Sequence, residues 1–179
     1  PRDLQVGHFL WRASRACRMS PAVAPLQARR CGAHERVRVA ELGGHVLPGR
    51  LWDDLAGMHR EKQLIERRVV APLDRPEAAA RHGVEPPRAI ILFGPPGTGK
   101  TSFARAIASR LGWPFVEILP SALLADPAGP AAALRAAFDR VRRLERVLVF
   151  IDEVEEIASA RGDRSLVHGL TNELLKVVP

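Results

Sequence analysis

From residue 88 to the end of the chain, the pattern of apolar and polar positions predicts strands that alternate with helices. Three short apolar runs have the length and the β-branched content of buried strands: AIILF at about 88–93, PFVEIL at 114–119 and VLVFI at 147–151. The stretches between them repeat apolar residues every three or four positions, as amphipathic helices do. Strands that alternate with helices predict an α/β fold, with a parallel sheet covered by helices on both faces.

The helical stretches can be placed by their apolar spacing. The first, at about 100–111, carries Phe103, Ile107 and Leu111 on one side and stops at Gly112. AAALRAAFDRVRRLE predicts a second helix, whose inner face is formed by Leu134, Phe138, Val141 and Leu144. Two more helices are expected at about 153–160 and 165–178.

Two further helices are predicted before the first strand. HREKQLIERRVVAPL places Leu64, Ile65 and Val69 on one side of a helix that ends at Pro72. RPEAAARHG predicts a shorter helix with Pro76 in its first turn and Gly83 at its end.

The first 50 residues have a different character. They show no sustained period, and they hold nine arginines against three acids, which accounts for most of the net charge of +7. We expect residues 1–50 to be a basic, poorly ordered segment and linker, and residues 51–179 to form the core domain. No helix-turn-helix, zinc-finger or RNA-binding signature accompanies the arginines, so nucleic acid is not indicated as a partner.

Two composition features bear on the environment of the protein. No apolar run approaches the roughly 18 residues that a membrane span requires, so no membrane association is expected. Cys17 and Cys31 lack CxxC spacing, and free thiols in a cytoplasmic protein are the expectation.

The stretch GPPGTGKT, residues 94–101, separates the first strand from its helix and fits the pattern GxxxxGK[ST]. Glycines allow a tight turn whose N–H groups point inward at phosphate oxygens, and the following helix adds its positive end. In this pattern Lys100 reaches the terminal phosphates of a nucleotide and Thr101 gives its hydroxyl to Mg²⁺. Arginine outnumbers lysine 24 to 3 in this chain, so a lysine at this position is not what composition favours.

The third strand, VLVFI, ends in Asp152 and Glu153. A buried parallel strand delivers both carboxylates to the carboxyl edge of the sheet, where ligands of such sheets bind. We expect Asp152 to hold Mg²⁺ and Glu153 to orient or deprotonate an attacking water. An ordinary acidic helix start is the competing interpretation of the same pair.

From Trp52 onward the chain resembles an ATPase of the AAA family, on the matches WDDLAG, GPPGTGKT, VLVFIDEVEEIASAR and VHGLTNELLK. The resemblance implies a P-loop NTPase-type αβα sandwich that hydrolyses ATP with Mg²⁺. It implies work as a homo-oligomer in a hexameric ring, and it is compatible with a protein substrate. It also implies catalytic roles for Lys100 and Glu153, and metal binding by Thr101 and Asp152. The nucleotide-binding residues that it implies are Asp54, Gly57, Gly94, Pro95, Pro96, Gly97, Thr98, Gly99, Lys100, Thr101 and Ser102.

The chain departs from the family pattern in two places. Where threading members carry a bulky gripping residue, this chain has Pro127 and Ala128, so threading of polypeptide is not expected. The family's fourth strand lies between the first and the third, and this chain supplies only strands one to three. The resemblance therefore predicts an incomplete sheet with an unpaired gap, a marginal fold, and a fragment able at most to bind nucleotide.

Three other functions also use a phosphate-binding loop. A nucleotide-dependent switch without significant hydrolysis is the main alternative, and Glu153 argues against it. A GTPase would need a DxxG after the phosphate loop, whereas Asp54–Gly57 precedes it. A small-molecule kinase would usually lack the Asp-Glu pair.

Overall fold

A four-stranded sheet lies at the centre of the computed structural model, which describes residues 6–14, 33–87, 89–144 and 146–152. The strands are β1 (Val6–Ser14), β2 (Ala89–Gly94), β3 (Phe115–Ile118) and β4 (Arg146–Ile151). Their spatial order is β2-β1-β4-β3. β3 and β4 are parallel, whereas β1 is antiparallel to both of its neighbours, so that β2 and β4 also point the same way. The three predicted strands are thus present and share one direction.

Helices connect and cover these strands. They are α1 (Ala33–Glu41), α2 (Leu51–Asp54), α3 (His59–Ile65), a π-helical turn (Glu66–Val70), α4 (Ala71–Asp74), α5 (Pro76–Arg81), α6 (Lys100–Leu111), α7 (Pro120–Leu124) and α8 (Pro130–Val141). The helices predicted at 153–160 and 165–178 lie outside the described residues. None of the described helices is long and apolar enough to cross a membrane.

Each face of the sheet has its own apolar core, which confirms the predicted layers. Leu148 and Phe150 of β4 pack with α6, α2 and the π-helical turn, whereas Val147, Val149 and Ile151 pack with α8. Neighbouring residues of a strand point to opposite faces, so one apolar strand serves both cores. The predicted inner faces of α6 and α8 are buried at every position named above.

The expectation of an unpaired gap between the first and third predicted strands is wrong, because β1 lies in it. Phe9 pairs with Ile91 on one side and with Ile151 on the other. A central strand satisfies backbone groups along both of its edges, and the backbones of β2 and β4 gain partners in the same way. Val6–Ser14 and Ala33–Glu41 are therefore regular within the segment that was expected to be poorly ordered.

Two predicted burial patterns also need correction. Leu64 is 59% exposed, whereas Ile65, Val69 and Val70 are buried, because the π-helical turn inserts an extra residue and rotates the apolar face. AIILF was expected to be buried on both faces. In the structure β2 is an edge strand, with Ile90 and Leu92 against the α6 core and Ile91 and Phe93 more than half exposed.

Within the predicted N-terminal segment and linker, Gly44 and His45 pack against β3. His45 and Phe115 exchange two backbone hydrogen bonds of 2.8 and 2.9 Å along the outer edge of that strand. A Cβ at Gly44 would lie 2.7 Å from a methyl of Val116, so only glycine allows this approach.

Candidate nucleotide-binding site

The loop between β2 and α6 has the backbone geometry of a phosphate-binding turn. Gly97 and Gly99 adopt φ of 78° and 82°, in the left-handed region that other residues rarely enter. Gly99 directly precedes α6, and its carbonyl accepts the N–H of Phe103 at 2.8 Å. The N–H groups of the first turn of α6 have no carbonyl partner within the helix, so they are available to an anion.

Lys100 folds back over this loop. Its ammonium donates to the carbonyls of Gly94 at 3.0 Å and Pro95 at 2.8 Å. The hydroxyl of Thr98 donates to the same Pro95 carbonyl at 2.9 Å, which closes the loop on itself. The loop thus holds a cation among its own carbonyls, close to the N–H groups that would face a phosphate.

Thr101 and Asp152 meet at the carboxyl edge of the sheet. The Thr101 hydroxyl, in the first turn of α6, donates to Oδ2 of Asp152 at 3.3 Å. Asp152 directly follows β4, so the two sequence patterns come together although 50 residues separate them. A magnesium ion with ligands at about 2.1 Å places adjacent ligand oxygens about 3 Å apart, so this pair fits two neighbouring positions of its octahedron.

The part of the chain that the structure describes offers no cluster of side chains that would supply further ligands for such an ion. Among the described residues, no group of three or more His, Cys, Asp or Glu side chains is placed to hold a metal. Magnesium commonly keeps several waters and takes phosphate oxygens while using only one or two protein ligands. The two oxygens therefore suit Mg²⁺ delivered together with a nucleotide.

The segment between α2 and α3 lies against the phosphate loop. A Cβ built at Gly99 would be 3.3 Å from the terminal methyl of Met58, which shows how closely Met58 covers that glycine. Met58 adopts φ of 51°, the one positive value for a non-glycine residue in the described part of the chain. Of the predicted contact residues, Asp54 ends α2 with an exposed side chain and Gly57 adopts φ of 74°.

Helix α6 is held in place from several sides. Arg110 donates to both carboxylate oxygens of Glu66 in the π-helical turn, at 2.6 and 3.2 Å. The hydroxyl of Ser109 donates to the carbonyl of Pro48 at 2.6 Å. These contacts orient the helix whose first turn forms the site.

The structure brings together most of the predicted site residues. Pro96 and Ser102 are exposed, at the tip of the loop and in the first turn of α6. Glu153, the predicted base, lies outside the described residues. Lys62, one of only three lysines in the chain, has no predicted role, and its ammonium donates to the carbonyls of Trp52 and Leu55.

A strand, a glycine-rich turn and a helix that begins with Lys-Thr, facing an aspartate at the end of the strand two places along the sheet, define a P-loop nucleotide-binding fold. The family model of the ATPases associated with various cellular activities matches residues 90–178. The chain belongs to this AAA family.

Three relatives match a large part of the chain. Proteasome-activating nucleotidase 1 of Haloferax volcanii is 39% identical over 117 residues, which cover 65% of this chain and 29% of that protein. Protein CdcH of Halobacterium salinarum is 35% identical over 133 residues, covering 72% and 18%. The cell division cycle protein 48 homolog of Archaeoglobus fulgidus is 32% identical over 158 residues, covering 88% and 21%. The chain thus spans less than a third of the length of each of these proteins.

Proposed function

We propose that this chain binds ATP together with Mg²⁺ in the loop between β2 and α6, and that the protein it belongs to hydrolyses the bound ATP. The observation that carries the proposal is the 3.3 Å hydrogen bond between Thr101 and Asp152. It joins the start of the phosphate-loop helix to the acidic end of β4, two features that a structural turn alone would not bring together.

Each residue has a role that follows from its position. The N–H groups of the loop and of the first turn of α6 hold the β- and γ-phosphates, and Lys100 exchanges its carbonyl partners for phosphate oxygens, which form stronger charge-assisted hydrogen bonds. Thr101 and Asp152 hold Mg²⁺, which when bound neutralises charge on the phosphates. Glu153, next in sequence to Asp152, accepts a proton from the water that attacks the γ-phosphorus, and ADP and phosphate leave.

Hydrolysis in this proposal is coupled to conformational work in a hexameric ring, where a neighbouring subunit supplies an arginine. The name of the Haloferax volcanii relative describes activation of a proteasome, which is consistent with a protein substrate for a ring of this family. Threading is not proposed, because Pro127 and Ala128 follow α7 where a gripping side chain would be needed. A cytoplasmic location stays a prediction from the cysteine pattern.

Titration calorimetry of the 179-residue chain with MgATP tests the binding site. We expect micromolar affinity that falls by about 10- to 100-fold in Lys100→Ala, the effect of losing hydrogen bonds to a charged group. Arg67→Ala removes one exposed cation outside the loop and is the matched control, expected to bind as the unchanged chain does. Equal affinity for the Lys100→Ala and Arg67→Ala variants would contradict the proposed site.

Phosphate release from the protein that carries this chain separates an ATPase from a nucleotide switch. Glu153→Gln keeps the shape of the side chain but removes its ability to accept a proton. We expect it to bind MgATP normally and to release phosphate at least about 100-fold more slowly. Turnover that survives this substitution would show that Glu153 is not the base, and binding without any turnover in the unchanged protein would favour the switch.

A further inference from the structure

Lys62 is tied to the carbonyls at the end of α2. Its ammonium donates to the carbonyl oxygens of Trp52 and Leu55, both at 2.6 Å. The last carbonyls of a helix have no N–H partner within the helix, and a cation is favourable at that end. The ammonium also lies 5.4 Å from the ring centroid of Trp52, within the range of a cation–π contact.

The same lysine closes the other side of the turn through its backbone. Its N–H donates to the carbonyl of Met58 at 2.8 Å, in the first turn of α3. The four residues 55–58 are therefore fixed at both ends by one residue. Met58, the strained member of this turn, contacts Gly99 of the phosphate loop.

A second contact links this arrangement to α6. The ring of Trp52 stacks on Phe103, with centroids 6.1 Å apart and planes 26° from parallel. Phe103 is 3% exposed and lies one turn after the start of α6. Displacement of Lys62 would thus act on the turn directly, and on the phosphate loop through Met58 and through the stacked rings of Trp52 and Phe103.

We infer that Lys62 is a positioning residue for the base end of the nucleotide. It holds the backbone of residues 55–58, which include the predicted nucleotide-binding residue Gly57, beside the phosphate loop. In this proposal the nucleoside of the bound nucleotide lies against that turn. The inference rests on the proposed function. A compact ammonium with three donors can reach two carbonyls of one turn, whereas the planar fork of arginine is suited to flat acceptors such as carboxylates.

The test compares two ligands that share their phosphates and differ in the nucleoside. Affinities of the 179-residue chain for MgATP and for magnesium tripolyphosphate are measured by calorimetry. In Lys62→Met, which keeps the aliphatic stem and removes the donors, we expect MgATP to bind about tenfold more weakly. Tripolyphosphate should bind within about twofold of the unchanged chain, since its affinity depends on the phosphate loop. Lys100→Ala is the matched control and should weaken both ligands.

The ratio of the two affinities distinguishes positioning from general destabilisation. An unfolded fraction lowers both apparent affinities by the same factor, so their ratio does not change. An unchanged ratio in Lys62→Met would overturn the inference. If that variant does not fold, Lys62→Gln, which retains an amide donor, takes its place with a smaller shift of the ratio expected in the same direction. Failure of the proposed function has a different signature, in which the unchanged chain binds neither ligand.

Discussion

At the scale of single residues, the site depends on backbone conformations that only particular side chains allow. Gly97 has φ of 78° and open space around the position of a Cβ, so a side chain there meets no neighbour. Its requirement for glycine is therefore conformational, not steric. Gly99 combines a similar φ with the close contact to Met58.

Gly97→Ala isolates the conformational cost. We expect it to weaken MgATP binding by about tenfold, because a left-handed alanine costs about 1–2 kcal/mol. The melting temperature should change little, since the loop is exposed. Calorimetric titration and thermal unfolding of the same samples give both values.

Gly49→Ala is the control for this prediction. Gly49 also has open space at its Cβ position, but its φ is not in the left-handed region. Alanine there should leave binding unchanged. Comparable losses in both variants would mean that the loop does not need its present conformation.

At the scale of helices and strands, the sequence predicts the limits of α6 correctly, but it does not predict which side chains are buried in α3 and the π-helical turn after it. The difference depends on local signals in the two sequences. The limits of α6 depend on two local signals, Gly99 before it and Gly112 after it, and both adopt the left-handed conformation. The π-helical turn Glu66–Val70 has no comparable signal. A period of 3.6 therefore assigned Leu64 to the wrong face.

Substitutions at two adjacent positions test which side of this helix faces the core. Ile65→Ala should lower the free energy of unfolding by about 2–4 kcal/mol, because Ile65 is 5% exposed. Leu64→Ala should change it by about 0.5 kcal/mol or less, because Leu64 is 59% exposed. Urea unfolding measures both, and equal losses would indicate a regular helix with Leu64 facing inward.

The side chains expected to bind phosphate and metal were predictable from the sequence, whereas the contacts that hold the surrounding helices in place were not. Lys100, Thr101 and Asp152 belong to short sequence patterns, GPPGTGKT and VLVFID, in which each residue type has a known chemical use. The contacts of Lys62 with Trp52 and Leu55, and of Arg110 with Glu66, depend on how separate helices pack. A single sequence carries no local signal for such contacts.

At the scale of the whole molecule, the sheet depends on a strand from the first residues of the chain. β1 could not be predicted because its partners, β2 and β4, lie far away in sequence and its own residues include arginine and histidine. Leu10 pairs with Ile90 on one side and with Phe150 on the other. Without β1, both β2 and β4 would lose a hydrogen-bonded neighbour.

Leu10→Pro tests whether β1 is central. Proline removes a ladder donor and is confined to edge strands and bulges, so a loss of about 3 kcal/mol or more is expected. This loss is a large fraction of the roughly 5–15 kcal/mol by which native proteins are stable, and we expect the urea midpoints for the loss of circular dichroism and of MgATP binding to fall together.

The matched variant is Leu10→Val, which keeps the backbone N–H and a side chain that favours strands. It should fold and bind MgATP. If the proline variant unfolded at the same urea concentration as the valine variant, β1 would not be a member of the sheet.

The central position of β1 also determines when the molecule can fold during its synthesis. Val6 pairs with Gly94 and Ser14 with Arg146, so the strand that leaves the ribosome first completes its pairing only after β4 has been made. Contacts between such distant residues form slowly, and an unpaired strand can meanwhile pair with another nascent copy. The yield of correctly folded, unaggregated protein should therefore fall as the rate of expression rises, and slow synthesis at low temperature should restore it.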